Sequence, residues 1–394
     1  MLIAHVITRL LRAGSEENTL STCEAQLRSG HEVILIYGRD YDESIIRQWA
    51  HRIQLIRVNS LVRELSPIHD LLAVRELLWI FRRIQPDLVH THQSKAGILG
   101  RLAAHVEGVP NIVHGVHILP FLGVGLARRA IYVAAERAIA SFTDAFIDVS
   151  GGMLGACVAN RVGFQRQHHV VHSGFDLAKF RTAQKPRNWR TLLDLRPGEP
   201  VPPVIVMLAA LEPRKRHLEL ISLFRQLVDQ FPNVRLLLAG EGTLRGEVER
   251  AIAHHNLSAN IKLIGFATNP EQLIALADVC LLTSIREGLP RSVVQYLAGG
   301  RPAIVTYVPG IEEVVTHGVN GLITPSEDLS ATVAALSELL GNKHSLSKLR
   351  AGARQSDLSS WDVENMCRQI EDIYRNIDRT PDKISWPAGT VIAA

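Results

Sequence analysis

From one end to the other, the chain alternates short runs of Val, Ile and Leu with longer amphipathic stretches. Runs that are apolar at successive positions, rather than at every second one, suit strands buried on both faces, and the amphipathic stretches between them suit covering helices. The first half places strands at 2–8, 31–37, 54–58, 87–92, 111–116 and 144–150. The pattern then restarts, with strands at 204–209, 234–239, 261–265, 279–283, 302–306 and 321–325. Right-handed crossovers turn each series into a doubly wound parallel sheet, so the expected class is α/β, with two Rossmann-like domains facing across a cleft. Between the series, Pro186, Pro197, Gly198, Pro200, Pro202 and Pro203 break any regular element and mark the domain boundary. No internal repeat is visible, which argues against a solenoid or propeller. In open sheets of this kind ligands bind beyond the carboxyl ends of the strands, and two such sheets facing each other enclose a crevice that excludes water.

Composition narrows the class. With 394 residues, 46% of them apolar, the chain has material for two or three cores and does not read as disordered. No apolar run is long and uncharged enough to cross a membrane, and the first residues read as a buried strand rather than a signal peptide, so export is not expected. Cys23, Cys157, Cys280 and Cys367 are too scattered for a metal or redox pair and fit a reducing cytoplasm. The net charge of +4 comes from interspersed basic and acidic residues, so no nucleic-acid partner is expected. Asp40 and Asp42 have the spacing of a metal-diphosphate pair but stand in a polar loop, and no metal site is expected.

The candidate chemistry lies at strand ends. Glu287, Gly288, Leu289 and Pro290 follow the strand at 279–283 and open a helix. Proline suits a first helical turn, glycine lets the backbone approach a ligand, and the free amides there face an anion or a hydroxyl. The Glu287 carboxylate would accept from sugar hydroxyls, with Gln295 on the same face two turns on. An ordinary strand-turn-helix corner, its Glu favoured by the helix dipole, fits the same residues. Arg214, Lys215 and Arg216 follow the first strand of the second series and suit a pyrophosphate, or else form a solvated basic helix start. Gly240, Gly242 and Gly14, each just past a strand, either admit a phosphate or ribose or serve packing.

The Glu-Gly-Leu-Pro stretch and its helix resemble the nucleotide-sugar signature of family 4 retaining glycosyltransferases with the GT-B fold, in which Glu-Gly-x-Pro begins a helix carrying a second acidic residue. The resemblance extends to 278–284, 309–315 and 318–322, and in the first half to 5–8, 13–16, 86–92 and 113–117, so it covers nearly the whole chain. It implies an acceptor-side domain over 1–185, a nucleotide-sugar-binding domain over 186–360, and, over 361–394, a helix crossing back to the first domain followed by a tail. It places His117 beside the transferred sugar, forming a catalytic centre with Glu287 and Lys215; His92 is a candidate neighbour, whereas His90 and His114 read as packing or loop residues. Gly288, Leu289, Pro290 and Glu313 fall on donor-side positions, Gln295 on the ribose contact, and Gly265 and Phe266 on the segment that reads the nucleobase. The sequence departs from the pattern twice. The family's second Glu is Gln295 here, and its phosphate-binding arginine falls on Ala210, leaving Arg214 or Arg216 to supply the charge.

The activity so implied is transfer, with retention, from a nucleotide-diphosphate sugar to a glycan, polyprenyl-linked or small-molecule acceptor, with surface polysaccharide or glycoconjugate assembly as the setting. UDP is the nucleotide the family favours, and neither metal nor other cofactor is required. No protein nucleophile is evident. The apolar stretch 118–126, leading into Arg128 and Arg129, either touches the inner face of the membrane or forms a buried loop. Two other readings stay open: a nucleotide-sugar epimerase on the same fold, and a non-catalytic nucleotide-sugar-binding member.

Overall fold

The computed structural model describes residues 1–12 and 14–377. The tail expected over 378–394 therefore lies outside the described residues. The first lobe carries β1 (Leu2–Ile7), β2 (Glu32–Tyr37), β3 (Gln54–Arg57), β4 (Leu88–His92), β5 (Asn111–Val116), β6 (Ala145–Asp148) and β7 (His168–Val170). The second carries β8 (Val204–Leu208), β9 (Arg235–Ala239), β10 (Ile261–Gly265), β11 (Val279–Leu282), β12 (Ala303–Thr306) and β13 (Gly321–Thr324). All named pairings are parallel, in the orders β3-β2-β1-β4-β5-β6-β7 and β10-β9-β8-β11-β12-β13. Parallel strands covered on both faces leave no solvent side, which is why Ile34, Leu35 and Ile36 in succession, or Val204 through Met207, are all buried.

These orders fix where a ligand belongs. In each sheet the winding reverses beside the first strand, between β1 and β4 in one lobe and between β8 and β11 in the other. The crevice at a reversal lies beyond the carboxyl ends of the two strands, because their following connections leave in opposite directions. Gly14 opens the helix after β1, and the segments leaving β8 and β11 hold Lys215 and Glu287.

Edge strand β7 was not read from the sequence. Its three residues include two histidines, so neither length nor apolar run distinguishes it from a loop. The helix Val363–Ile377 lies on the first sheet: Met366, Cys367, Ile370, Ile373 and Tyr374 form one buried cluster with Ile3, Leu88, Val113, Ala145 and Ile147. Its approach is fixed by main-chain bonds, Phe175 N–H to the Trp361 carbonyl at 2.9 Å and Val363 N–H to the Phe175 carbonyl at 3.1 Å. The chain thus passes between the lobes twice, and the two passages lie side by side. Among the described residues no helix is long and apolar enough to cross a membrane.

Candidate active site

Two loops meet at the reversal point of the second sheet. One leaves β8 through the turn Pro213–Lys215 and reaches Arg216, whose φ of 58° puts it in the left-handed region just before the helix His217–Gln230. The other leaves β11 and runs through Glu287 to the helix Arg291–Ala298. Main-chain groups tie them together: Ile285 N–H donates to the Arg214 carbonyl at 3.0 Å, and the Thr283 hydroxyl donates to the Lys215 carbonyl at 2.6 Å. These ties bring the Lys215 ammonium into direct contact with Glu287 Oε1 and set Arg214 Nη1 3.0 Å from the same oxygen. Lys215 and Glu287 are 7% and 8% exposed, so this is a buried ion cluster rather than a surface pair. Arg214 also pairs with Glu212 at 2.9 Å.

Burial by itself raises the Glu287 carboxyl, but Lys215 and Arg214 outweigh it and hold the group below its ordinary value, ionised at neutral pH. Two cations and two carboxylates, Glu287 and Glu212, thus meet in one largely buried cluster, where the low dielectric strengthens each interaction.

The first lobe closes over this cluster. Gly288 packs so tightly on the His117 carbonyl that no Cβ fits between them, and the Ser150 hydroxyl donates to the Gly288 carbonyl at 3.0 Å. His117 follows β5, and burial, helped by the charge of Arg291, lowers its imidazole to about 4, so it is neutral at pH 7. Arg286 Nη1 donates to the Leu122 carbonyl at 2.6 Å across the same seam.

Arg291, not singled out from the sequence, is the main addition. Its guanidinium contacts the Asn18 side chain, pairs with Glu17 at 2.9 Å, and lies 4.2 Å from the Phe175 ring centroid. A Cβ on Gly14 would run into the Arg291 side chain, so the glycine after β1 and this arginine are immediate neighbours. A basic residue at a helix start reads as solvated in sequence, and only the approach of the other lobe gives it partners.

Past β9 of the second sheet, Gly240 and Gly242 stack on the backbone at Ala209 and Leu211, while Gly240 N–H donates to the Gly265 carbonyl at 2.8 Å. Close approach of neighbouring loops therefore requires both glycines. The β9–β10 ladder slips between Leu263 and Gly265, and Gly265 takes a φ of 75°. Phe266 follows it, 44% exposed, with the Arg12 guanidinium 5.6 Å from its ring centroid. Leu289 is buried and Pro290, at φ −72°, is the cap residue of the Arg291–Ala298 helix, on which Gln295 is half-buried.

Glu313 stands elsewhere. Its Oε1 accepts from Gly152 N–H at 3.2 Å and its Oε2 pairs with His172 at 2.8 Å, turning it to the start of the helix Gly151–Ala159. His92 lies 3.2 Å from His117, and His90 packs against His92, while His114 bonds the Thr91 hydroxyl at 2.9 Å. Asp42 caps the helix Glu43–Trp49 and pairs with Arg12 at 3.1 Å. Among the described residues, two buried groups have ligand atoms close enough to hold an ion: His5, His90 and His92, and Asp148, Cys157 and His168. In both, bonds within the group occupy ligand atoms, as between His5 Nδ1 and His92 Nε2 at 2.9 Å and between His168 Nδ1 and Asp148 Oδ2 at 2.7 Å.

Residues 13–179 match the model described as Glycosyltransferase Family 4, and residues 197–356 match that described as Glycosyl transferases group 1. The UDP-Gal:alpha-D-GlcNAc-diphosphoundecaprenol alpha-1,3-galactosyltransferase of Escherichia coli is 25% identical over 382 residues, covering 94% of this chain and 96% of its own. The structure of Anabaena Alr3699/HepE with UDP and glucose superposes with a TM-score of 0.78 at 20% identity, over 95% of this chain and 100% of that one. Sucrose-phosphate synthase from Thermosynechococcus elongatus gives 0.79 at 18% identity, over 96% and 99%. With both lobes matched in order and the reversal-point loops in place, the chain belongs to the family 4-type glycosyltransferases of the GT-B fold.

Proposed function

We propose that this glycosyltransferase moves a hexosyl group, with retention, from a UDP-sugar to a lipid-linked or glycan acceptor in surface-polysaccharide or glycoconjugate assembly. The observation that carries the reading is the convergence of Lys215, Arg214 and Glu287 at one reversal point, directly beneath the seam with His117. Lys215 and Arg214 take the diphosphate and stabilise the charge that grows on the leaving oxygen. Glu287 then accepts from hydroxyls of the sugar, His117 hydrogen-bonds the sugar near the acceptor, and Gly14 faces the pyrophosphate from the first lobe, beside Arg291 of the second. Gly240, Gly242, Gly265 and Phe266 flank the nucleoside, and Gln295 holds the ribose through its amide oxygen. Glu313 is assigned to the donor as well, which requires it to leave His172 when the donor binds.

No side chain is placed as a nucleophile in this scheme. The acceptor hydroxyl attacks the anomeric carbon on the face from which the diphosphate leaves, the C–O bond to phosphate breaks, and the donor phosphate takes the hydroxyl proton. Protein cations do the work a metal does in other transferases, so no metal or other cofactor is assigned. UDP is favoured because the galactosyltransferase relative and the Anabaena structure both carry it in their names. We assign the protein to the cytoplasm, with a peripheral contact through Leu126 and Ile131, which are 84% and 64% exposed beside Arg128 and Arg129; Leu119 and Phe121 of the same stretch are buried.

The test is calorimetric titration with UDP, UDP-glucose, UDP-galactose and UDP-N-acetylglucosamine, followed by NMR of the product anomer formed on a polyprenyl-diphosphate sugar. Binding of UDP together with an α-linked product from an α-linked donor is expected. An inverted linkage, or epimerised donor without transfer, would refute the assignment.

A further inference from the structure

A chain of imidazoles runs from the first helix of the N-terminal lobe to the proposed catalytic centre. Gln26, on the helix Gly14–Arg28, holds His5 Nε2 through its Oε1 at 2.8 Å. His5 Nδ1 meets His92 Nε2 at 2.9 Å, and His92 Nδ1 meets His117 Nε2 at 3.2 Å. Gln26, His5 and His92 are each no more than 3% exposed. The amide nitrogen has a partner as well: Gln26 Nε2 donates to the Tyr374 hydroxyl at 3.2 Å, and that hydroxyl lies 2.6 Å from His90 Nδ1.

We propose that Gln26, His5 and His92 form a positioning relay that sets the tautomer of His117, so that His117 presents Nδ1 to the sugar site as a hydrogen-bond acceptor. The inference rests on the placement of His117 given under the proposed function. Each contact between two ring nitrogens holds one proton. An amide oxygen has no proton to give, so His5 carries its proton on Nε2 and offers a bare Nδ1. His92 must then be protonated on Nε2, which bares its Nδ1, and His117 in turn is protonated on Nε2. One proton occupies each link, and Nδ1 of His117 is left bare. This orientation lets it accept from a hydroxyl and forbids it from donating.

Burial keeps the rings uncharged: His5 is held near 4 and His92 well below its ordinary value, so no ring carries the second proton that would break the one-way order. The convergence also accounts for Gly115 on β5. A Cβ there would sit 3.1 Å from His92 Nδ1, 3.2 Å from His117 Nε2 and 3.3 Å from His90 Nε2, pressing into the last link of the chain. The His5–His92 and His92–His117 links each have one proton between their two nitrogens, whereas His90 Nε2 has no partner among the described residues.

Nitrogen-15 NMR of the full-length protein labelled in histidine rings reads each tautomer directly, independently of turnover. In the wild type, His117 is expected with Nε2 protonated and Nδ1 bare. Gln26→Leu, which removes the amide oxygen, should give a mixture of the two tautomers, and kcat for UDP-hexose turnover should fall by about a hundredfold with donor KM within about twofold. Gln26→Glu keeps the shape but supplies a charge that protonates His5, reversing the order of donation and moving the His117 proton to Nδ1; this variant keeps the test open if the leucine protein does not fold. A wild-type His117 protonated on Nδ1, or a tautomer and kcat unmoved by either folded variant, overturns the relay. So does a stoichiometric metal ion in the purified protein. Absence of UDP binding with the expected tautomer pattern would instead count against the proposed function and leave the relay standing.

Discussion

Gly288 and His117 touch through their backbones, the Cα of one against the carbonyl oxygen of the other, and this contact joins the two halves of the proposed active site. Gly288→Ala must therefore separate the lobes at the point where donor and acceptor meet. A misplacement of about 1 Å costs on the order of a hundredfold in rate. We expect that loss in kcat/KM, with the melting temperature changed by no more than a few degrees, measured by steady-state kinetics and calorimetry on the same preparation. An alanine protein with wild-type kcat/KM would show that the seam is not part of the working site.

The ion cluster predicts opposite signatures for its members. Lys215→Met should abolish UDP binding, because the diphosphate loses the cation at its centre. Glu287→Gln should leave UDP binding within about threefold but lower turnover about a hundredfold or more, as the sugar loses its charged acceptor. Calorimetry with UDP and product formation separate the two. Loss of UDP binding in the glutamine variant alone would reverse the assignment.

The buried histidines predict an acid limit. Burial holds His5 and His117 near 4, against an ordinary value of 6.5. A folded value below the unfolded one means that the unfolded chain binds more protons between these limits. Stability is then complete above about pH 6.5 and is lost as the pH falls toward 4, by ~1.4 kcal/mol per pH unit for each such ring. Urea midpoints at pH 7, 6 and 5 should fall accordingly; a midpoint constant from 7 to 5 would contradict the assignment of neutral buried rings.

The returning helix predicts a stability effect remote from the site. Ile370, 5% exposed, packs with Val113 and Ile147 of the first sheet. Ile370→Ala should cost about 2–5 kcal/mol, read as a lowered denaturant midpoint with an unchanged slope. A change below about 0.5 kcal/mol would mean that the helix contributes little to the first lobe's core.

Metal-free transfer predicts that turnover survives EDTA. Activity lost in EDTA and restored by Mn²⁺ would overturn the assignment of the phosphate charge to Lys215 and Arg214.

Periodicity was enough to read both sheets, because strands buried on both faces write themselves as apolar runs, as in β2 and β8. It failed at β7, where His168 is buried by a bond to Asp148 rather than by its own hydrophobicity. The loop residues Lys215 and Glu287 were legible through their position after strands and through the resemblance of their motifs. Arg291 was not, because its partners Glu17 and Asn18 lie on the other lobe, some 270 positions away in sequence. Glu313 shows the same limit from the other side: its motif was visible, but its bonds to His172 and Gly152 depend on how the lobes meet. The imidazole chain was equally hidden, since β1, β4 and β5 bring His5, His92 and His117 together only through strand order.

The paired passages near Phe175 and Trp361 have a mechanical consequence. Two connectors bonded side by side keep both covalent crossings on one line, like a book's spine. An opening that preserves those bonds has to break the Gly288–His117, Arg286–Leu122 and Arg291–Glu17 contacts and is a rotation about that line, smallest beside the spine.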